Sequence, residues 1–283
     1  MSMLTRIVSV FVVCASMSLV IKISEAAEHN HQAMQPKKQQ MASCEGVEIT
    51  CAKTVTSAFA PNGDLWRLWA LDSSIYFQIS KDEGKTFSEF NRVAIDKEKI
   101  SARNENRPKI AFDKYQGVYL SWATPKKKKY TADVRFSYSS DYGKTFTQPV
   151  TVNDDNLLTG HSFNEMLVTE EGDISIVWLD SRHSYQLRKQ GKKTNGSALY
   201  LGKANYRKGE KTFSNEQLAN NTCVCCRIAM NFNNHGEIAV FWRHIYGDNI
   251  REFALMTLGQ GDSKQSMPYQ ISYDRWKING CPH

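Results

Sequence analysis

The chain has 283 residues, 41% hydrophobic and 23% charged, which gives enough apolar mass for a large core and excludes a disordered or collagenous chain. Its formal charge of +7 is spread along the sequence rather than set in one stripe, which argues against nucleic acid as a partner and favours an anionic ligand weakly. The 13 Phe, 12 Tyr and 6 Trp, with scarce Pro and no long apolar helical period, lean towards strands.

In chain order, Arg6 precedes a mostly apolar run from Ile7 to Ile21, and Ser24-Glu25-Ala26 offers the small residues of a cleavage site. Residues 1–26 therefore read as a secretory signal, and the run is short of the roughly 20 residues of a membrane span. The expected product is exported, periplasmic or secreted, with no transmembrane anchor after processing. Residues 27–43 read as a flexible tail. Cleavage after Ala26 would place His29 third from a free amine, an arrangement that can chelate copper.

Export removes Cys14 and leaves Cys44, Cys51, Cys223, Cys225, Cys226 and Cys281, an even set that an oxidising compartment allows to pair. Cys44 and Cys51 read as a staple for the N-terminal segment. The crowded Cys223-Val224-Cys225-Cys226 has two readings. With Cys281, its thiolates suit copper or zinc; oxidised, they form disulfides, for instance one with Cys281.

A repeat governs the rest. Four segments share a short apolar strand, a turn with Gly, and a second strand ending at Trp69, Trp122, Trp178 or Trp242. Each Trp is followed by a loop and an alternating strand such as Val134-Arg135-Phe136-Ser137-Tyr138. This is an all-β pattern of four-stranded antiparallel blades, with units at about 52–100, 101–159, 160–220 and 221–275. In the first two units, Ser80, Asp82, Gly84, Thr86 and Phe87, and then Ser139, Asp141, Gly143, Thr145 and Phe146, fit Ser-x-Asp-x-Gly-x-Thr-Phe. Ser and Asp can bond turn backbone, Gly can take positive φ, and Phe can be buried between sheets. Lys208-Gly209-Glu210-Lys211-Thr212-Phe213 is a worn third copy.

These turns are Asp boxes, and the chain resembles the sialidase-like Asp-box (BNR-repeat) β-propellers. A closer resemblance, to bacterial exported sialidase-family proteins, rests on Glu105-Asn106-Arg107-Pro108, Cys223-Val224-Cys225-Cys226-Arg227, Trp242-Arg243-His244-Ile245 and Cys281-Pro282-His283. The resemblance implies a six-bladed propeller, of which residues 44–283 supply about four blades, so the chain looks truncated. It also implies three arginines clamping a substrate carboxylate, an Asp acid or base, and a Tyr nucleophile activated by Glu.

In such blades the loop leading into the first strand and the loop between the second and third share one end. That end gathers Glu105, His161, Glu165, Asp180, His183 and His244 as funnel acid or base candidates. It also holds Arg107, Arg227 and Arg243 as carboxylate-binding candidates. The arginines bind an anionic ligand or pair with Glu105, Glu165 or Asp180 around the ring. No Tyr and Glu pair matches the nucleophile. The reading is an acidic-glycan-binding funnel in which hydrolysis of terminal sialic acid is doubtful, with copper or zinc binding as the alternative. The Lys126 to Lys129 run reads as a solvated loop tip or as an attractor of anionic glycans or headgroups. Uncovered blade faces predict self-association.

Overall fold

A computed structural model describes residues 44, 46–71, 73–93, 98–103, 106–259 and 266–277. The expected signal and tail, His29, Glu105, Cys281 and His283 lie outside the described residues. Apart from one short helix and two 3-10 turns, the described elements are strands, and every described pairing is antiparallel, mostly between sequence neighbours.

The first unit is β1 (Val55–Phe59), β2 (Leu65–Leu71), β3 (Ser74–Ser80) and β4 (Asn91–Val93). The second is β5 (Lys109–Phe112), β6 (Val118–Pro125), β7 (Ala132–Ser139) and β8 (Val150–Thr151). The third is β9 (His161–Val168), β10 (Ile174–Asp180), β11 (Ser197–Ala204) and β12 (Ser214–Thr222), with α1 (Arg182–Lys189) between β10 and β11. The fourth is β13 (Ala229–Phe232), β14 (Ile238–Tyr246), β15 (Ile250–Leu258) and β16 (Tyr269–Gln270), with β17 (Trp276–Lys277) also on β15. A bridge between Thr222 and His244 links the last two sheets.

Side chains alternate across each strand, and the sheets use both faces. Val118, Leu120 and Trp122 of β6 join Trp66, Leu68 and Phe77 of the first unit, whereas Tyr119 joins Ile174, Ile176 and Trp178 of the third. Val177 and Leu179 of β10 turn the other way, onto Val240, Trp242 and Met256 of the fourth. The three hydrophobic clusters therefore lie between consecutive sheets, and all seven residues of β10 are buried. Each Trp that marks the repeat sits on a second strand and is at most 1% exposed. Truncating one to Ala costs about 3–5 kcal/mol at such a site. The first strands are neighbours in turn, β1 beside β5, β5 beside β9 and β9 beside β13. The loops leading into them therefore gather at one end.

The two Ser-x-Asp-x-Gly-x-Thr-Phe turns fold alike at the opposite end. Ser139 Oγ donates to Asp141 Oδ1 at 2.7 Å and accepts from Gly143 N at 2.8 Å, while Asp141 takes the Thr145 amide and hydroxyl at 2.9 and 2.6 Å. Ser80, Asp82, Gly84 and Thr86 repeat these contacts within 0.1 Å. Three donors on one carboxylate hold Asp141, like Asp82, down at about 2, the Thr145 hydroxyl being the strongest influence on the former. Both phenylalanines are half-buried: Phe87 lies under the Arg67 guanidinium, 3.6 Å from its ring centre, and Phe146 meets Phe77 edge-on. In the worn third copy Asn205 caps the turn by accepting from Lys208 N at 3.0 Å, and Phe213 is buried.

Candidate functional site

At the end where the first strands begin, His161 opens β9 and stands in register with Asp180, the last residue of β10. Both are fully buried. His161 Nε2 is 3.1 Å from Asp155 Oδ2 and 3.7 Å from Asp180 Oδ2, and Nδ1 is 2.8 Å from the Ala132 carbonyl and 3.5 Å from Asp133. Asp180 also accepts from Trp178 Nε1 and from Arg182 Nε, each at 2.9 Å. Arg182 reaches Asp155 at 2.9 Å and stacks 4.1 Å over Tyr200.

Burial opposes charge on His161, but Asp133, Asp155 and Asp180 overcome it and raise the imidazole to about 9. Burial likewise opposes the Asp133 carboxylate, yet His161, Lys126 and Asn153 bring it down to about 2. Asp155 is held below the ordinary range although burial works against it, through the His161 hydrogen bond. The result is a charge-balanced knot tying the second unit to the third. Asp155, His161 and Asp180 present ligand atoms within 4.8 Å of one another. The Arg182 guanidinium and the protonated imidazole already supply positive charge there, which disfavours an added cation.

The three arginines do not share one environment. Arg107, half-buried two residues ahead of β5, has no ion-pair partner among the described residues. Arg227 is exposed two residues ahead of β13. Arg243 lies inside β14, and its guanidinium is drawn outward, 3.9 Å over Phe253 and 4.7 Å over Trp276. It donates to the Arg251 carbonyl at 3.1 Å and stands 3.8 Å from Asp274. Cation–π contact and a carbonyl on the outer strands thus engage Arg243 and draw it away from the expected clamp.

The chain matches no profile of a known protein family and no curated protein. Its architecture is similar to that of the Penicillium chrysogenum alpha-L-arabinanase complexed with arabinobiose, with a TM-score of 0.53 and 15% identity over 80% of this chain and 68% of that one. It is also similar to the Hadza microbial sialidase Hz136, with a TM-score of 0.50 and 11% identity over 75% of this chain and 45% of that one. The fold is a sialidase-like β-propeller. The chain spans less than half the length of that sialidase.

Within the propeller, Glu165 pairs with Lys109 at 2.6 Å, joining β9 to β5, and Asp180 pairs with Arg182. Glu165 and Asp180 are thus paired with cations other than the expected arginines. His244 accepts from Trp242 Nε1 at 3.3 Å and packs on Tyr246, and burial lowers its pKa, so it is neutral. His183 is exposed on α1, a helix that replaces the expected loop.

Cys44 is bonded to Cys51 and Cys223 to Cys226, and Cys225 is also disulfide-bonded, its partner lying outside the described residues. The expected staple is present. The alternative thiolate metal centre at Cys223, Cys225 and Cys226 is corrected by this bonding, because a disulfide sulfur carries no thiolate charge to hold copper or zinc. Arg251 Nη1 lies 2.9 Å from Cys223 Sγ and fixes that sulfur inside the fourth unit.

Sequence reasoning missed Asp133 and Asp155, which complete the His161 knot. The polar run Asn153-Asp154-Asp155 shortly before His161 was the available signal.

Proposed function

We propose that this propeller is an exported protein that binds an acidic glycan at the mouth formed by the leads into its first strands, without hydrolysing it. The observation that carries the reading is Arg107, a half-buried guanidinium with no described carboxylate beside it, at the end where Arg227 also stands. A half-buried cation with no carboxylate partner among the described residues suits a ligand carboxylate in bidentate geometry. Hydrolysis needs a carboxyl group that can give up a proton near neutrality. Asp133 and Asp155 are instead held ionised, and Glu165 and Asp180 are occupied by Lys109 and Arg182. Disulfides, and the lack of any described helix long and apolar enough to cross a membrane, agree with export.

The test is calorimetric titration with sialyllactose and with lactose. Binding of the first alone, weakened at least about tenfold by Arg107→Gln as expected for a lost charged hydrogen bond, supports the reading. Equal binding of both sugars, no binding of either, or turnover of a fluorogenic sialoside overturns it.

A further inference from the structure

Two loops on the same end of the propeller carry cations that no described carboxylate answers. In the β6–β7 loop, Lys127, Lys128 and Lys129 are exposed, while Lys126 alone of the four pairs with a described carboxylate, Asp133. At the far end of α1 and just beyond it stand exposed Arg188, Lys189, Lys192 and Lys193. None of these seven pairs with an acidic side chain among the described residues. The sequence explains the excess: there is no Asp or Glu from Lys114 to Ala132, nor from Ser181 to Gly209.

The loops are neighbours. Gly160 holds them together: its carbonyl accepts from Ser181 N at 2.9 Å, directly before α1, and a Cβ on it would lie 3.0 Å from the Tyr130 carbonyl. Tyr130 itself is 86% exposed with φ of +62°, a conformation that costs a non-glycine residue energy and here aims an aromatic ring into solvent beside Lys129. At the foot of α1 a cavity of about 300 Å³ is lined by His183, Lys193, Thr194, Asn195, Asn220 and Asn221 among others. Amide and hydroxyl side chains in a concave wall suit sugar hydroxyls. An exposed ring suits the apolar face of a pyranose, and the cations suit its acid groups.

We propose that this surface, from Tyr130 and its lysines to the cleft under α1, is a docking site for an anionic polysaccharide. It is separate from the mouth at Arg107, and it takes several units of a polymer rather than one terminal sugar. A duplex nucleic acid would use the cations and leave the amide cleft idle. A lipid surface would need apolar side chains around Tyr130, where the sequence places lysines.

The test measures retention and affinity of the full chain on heparin and on alginate, with dextran, a DNA duplex and phosphatidylglycerol vesicles as comparisons. Binding to an acidic polysaccharide should weaken steeply with salt, since the exposed charges are screened beyond about 8 Å at physiological ionic strength. Replacing Lys127, Lys128, Lys129, Lys192 and Lys193 by Ser should weaken it at least tenfold with an unchanged melting curve. Lys144→Ser, on the turn at the opposite end, should have no effect. Tyr130→Ala and Asn195→Ala should each weaken polysaccharide binding several-fold. Arg107→Gln should leave it intact, so failure here and failure of the mouth reading are separable. Unchanged affinity in the five-lysine variant overturns the proposal. Equal affinity for DNA or vesicles, with no effect of Tyr130→Ala or Asn195→Ala, also overturns it.

Discussion

His161 Nε2 stands 3.1 Å from the Asp155 carboxylate, on an imidazole with no exposed surface, at the seam between the second and third units. This pair makes the seam sensitive to alkali. The folded imidazole titrates at about 9, whereas an unfolded histidine titrates near 6.5. A raised folded pKa contributes stability that is complete below about pH 6.5 and is lost as pH rises through about 9. Calorimetric melting between pH 6 and 9.5 should show a decline on the order of 3 kcal/mol. His161→Gln should start lower and lack that decline. A wild-type profile flat to pH 9.5 would show that the imidazole is neutral in the native state.

Acid acts on the other end of the molecule. Asp141 titrates at about 2 in the folded chain, so its contribution is present above the ordinary carboxylate pKa near 3.9 and disappears as pH falls towards 2. Thermal melts of Asp141→Asn should lose part of the wild-type difference between pH 5 and pH 2.5. Identical differences in the two proteins would show that the turn contributes nothing through this charge.

Three glycines in left-handed backbone separate conformational strain from crowding. Gly209 has φ of +89° with open space around a notional Cβ, Gly84 would meet Leu65 at 3.2 Å, and Gly143 would meet the buried ring of Trp66 at 2.8 Å. Gly209→Ala should therefore cost about 1–2 kcal/mol from the backbone alone. Gly84→Ala should cost slightly more, because a leucine end can move, and Gly143→Ala the most. Denaturant midpoints check the order, and equal costs at the three sites would refute the crowding argument.

The bonded cysteines predict that alkylation under denaturing conditions without reductant leaves Cys44, Cys51, Cys223, Cys225 and Cys226 unlabelled in mass spectra. The oxidised protein should carry no stoichiometric copper or zinc on these sulfurs. Opening the Cys44–Cys51 loop with Cys51→Ser should lower stability by about 2–3 kcal/mol on the chain-entropy account. Labelled thiols, or metal bound by the oxidised chain and lost in Cys225→Ser, would reinstate the thiolate reading.

Large apolar side chains are exposed most often in the last unit, including Met267 at 83% and Tyr273 at 76%, and Phe59 of the first unit is 62% exposed. Patches of this kind favour association. Sedimentation should show a weight-average mass that rises with concentration and falls in Phe59→Ser. A monomer at all concentrations would contradict this.

The blades were legible because their signals are local. A tryptophan at the same place in each unit marks a buried second strand, and Ser, Asp, Gly and Thr within eight residues bond to one another wherever that turn forms. The site was less legible because its pairings join distant segments. Asp133 and Asp180 reach His161 from separate segments, so the charge on His161 does not follow from one stretch of sequence. Arg243 looked available for the same reason, since Phe253 and Trp276 reach it only once β15 and β17 are paired.

β10 faces two different neighbours with alternate residues, Ile176 and Trp178 towards the second unit and Val177 and Leu179 towards the fourth. A single residue inserted after Ser175 would exchange those two faces, setting Ile176 where Val177 had fitted and Trp178 where Leu179 had fitted, and opening voids at both seams at once. The same insertion after Gln190, in the polar turn beyond α1, would displace nothing buried. Length variation is therefore confined to the strand ends, so the surface that meets ligands can be rebuilt while the stacked interior keeps its register.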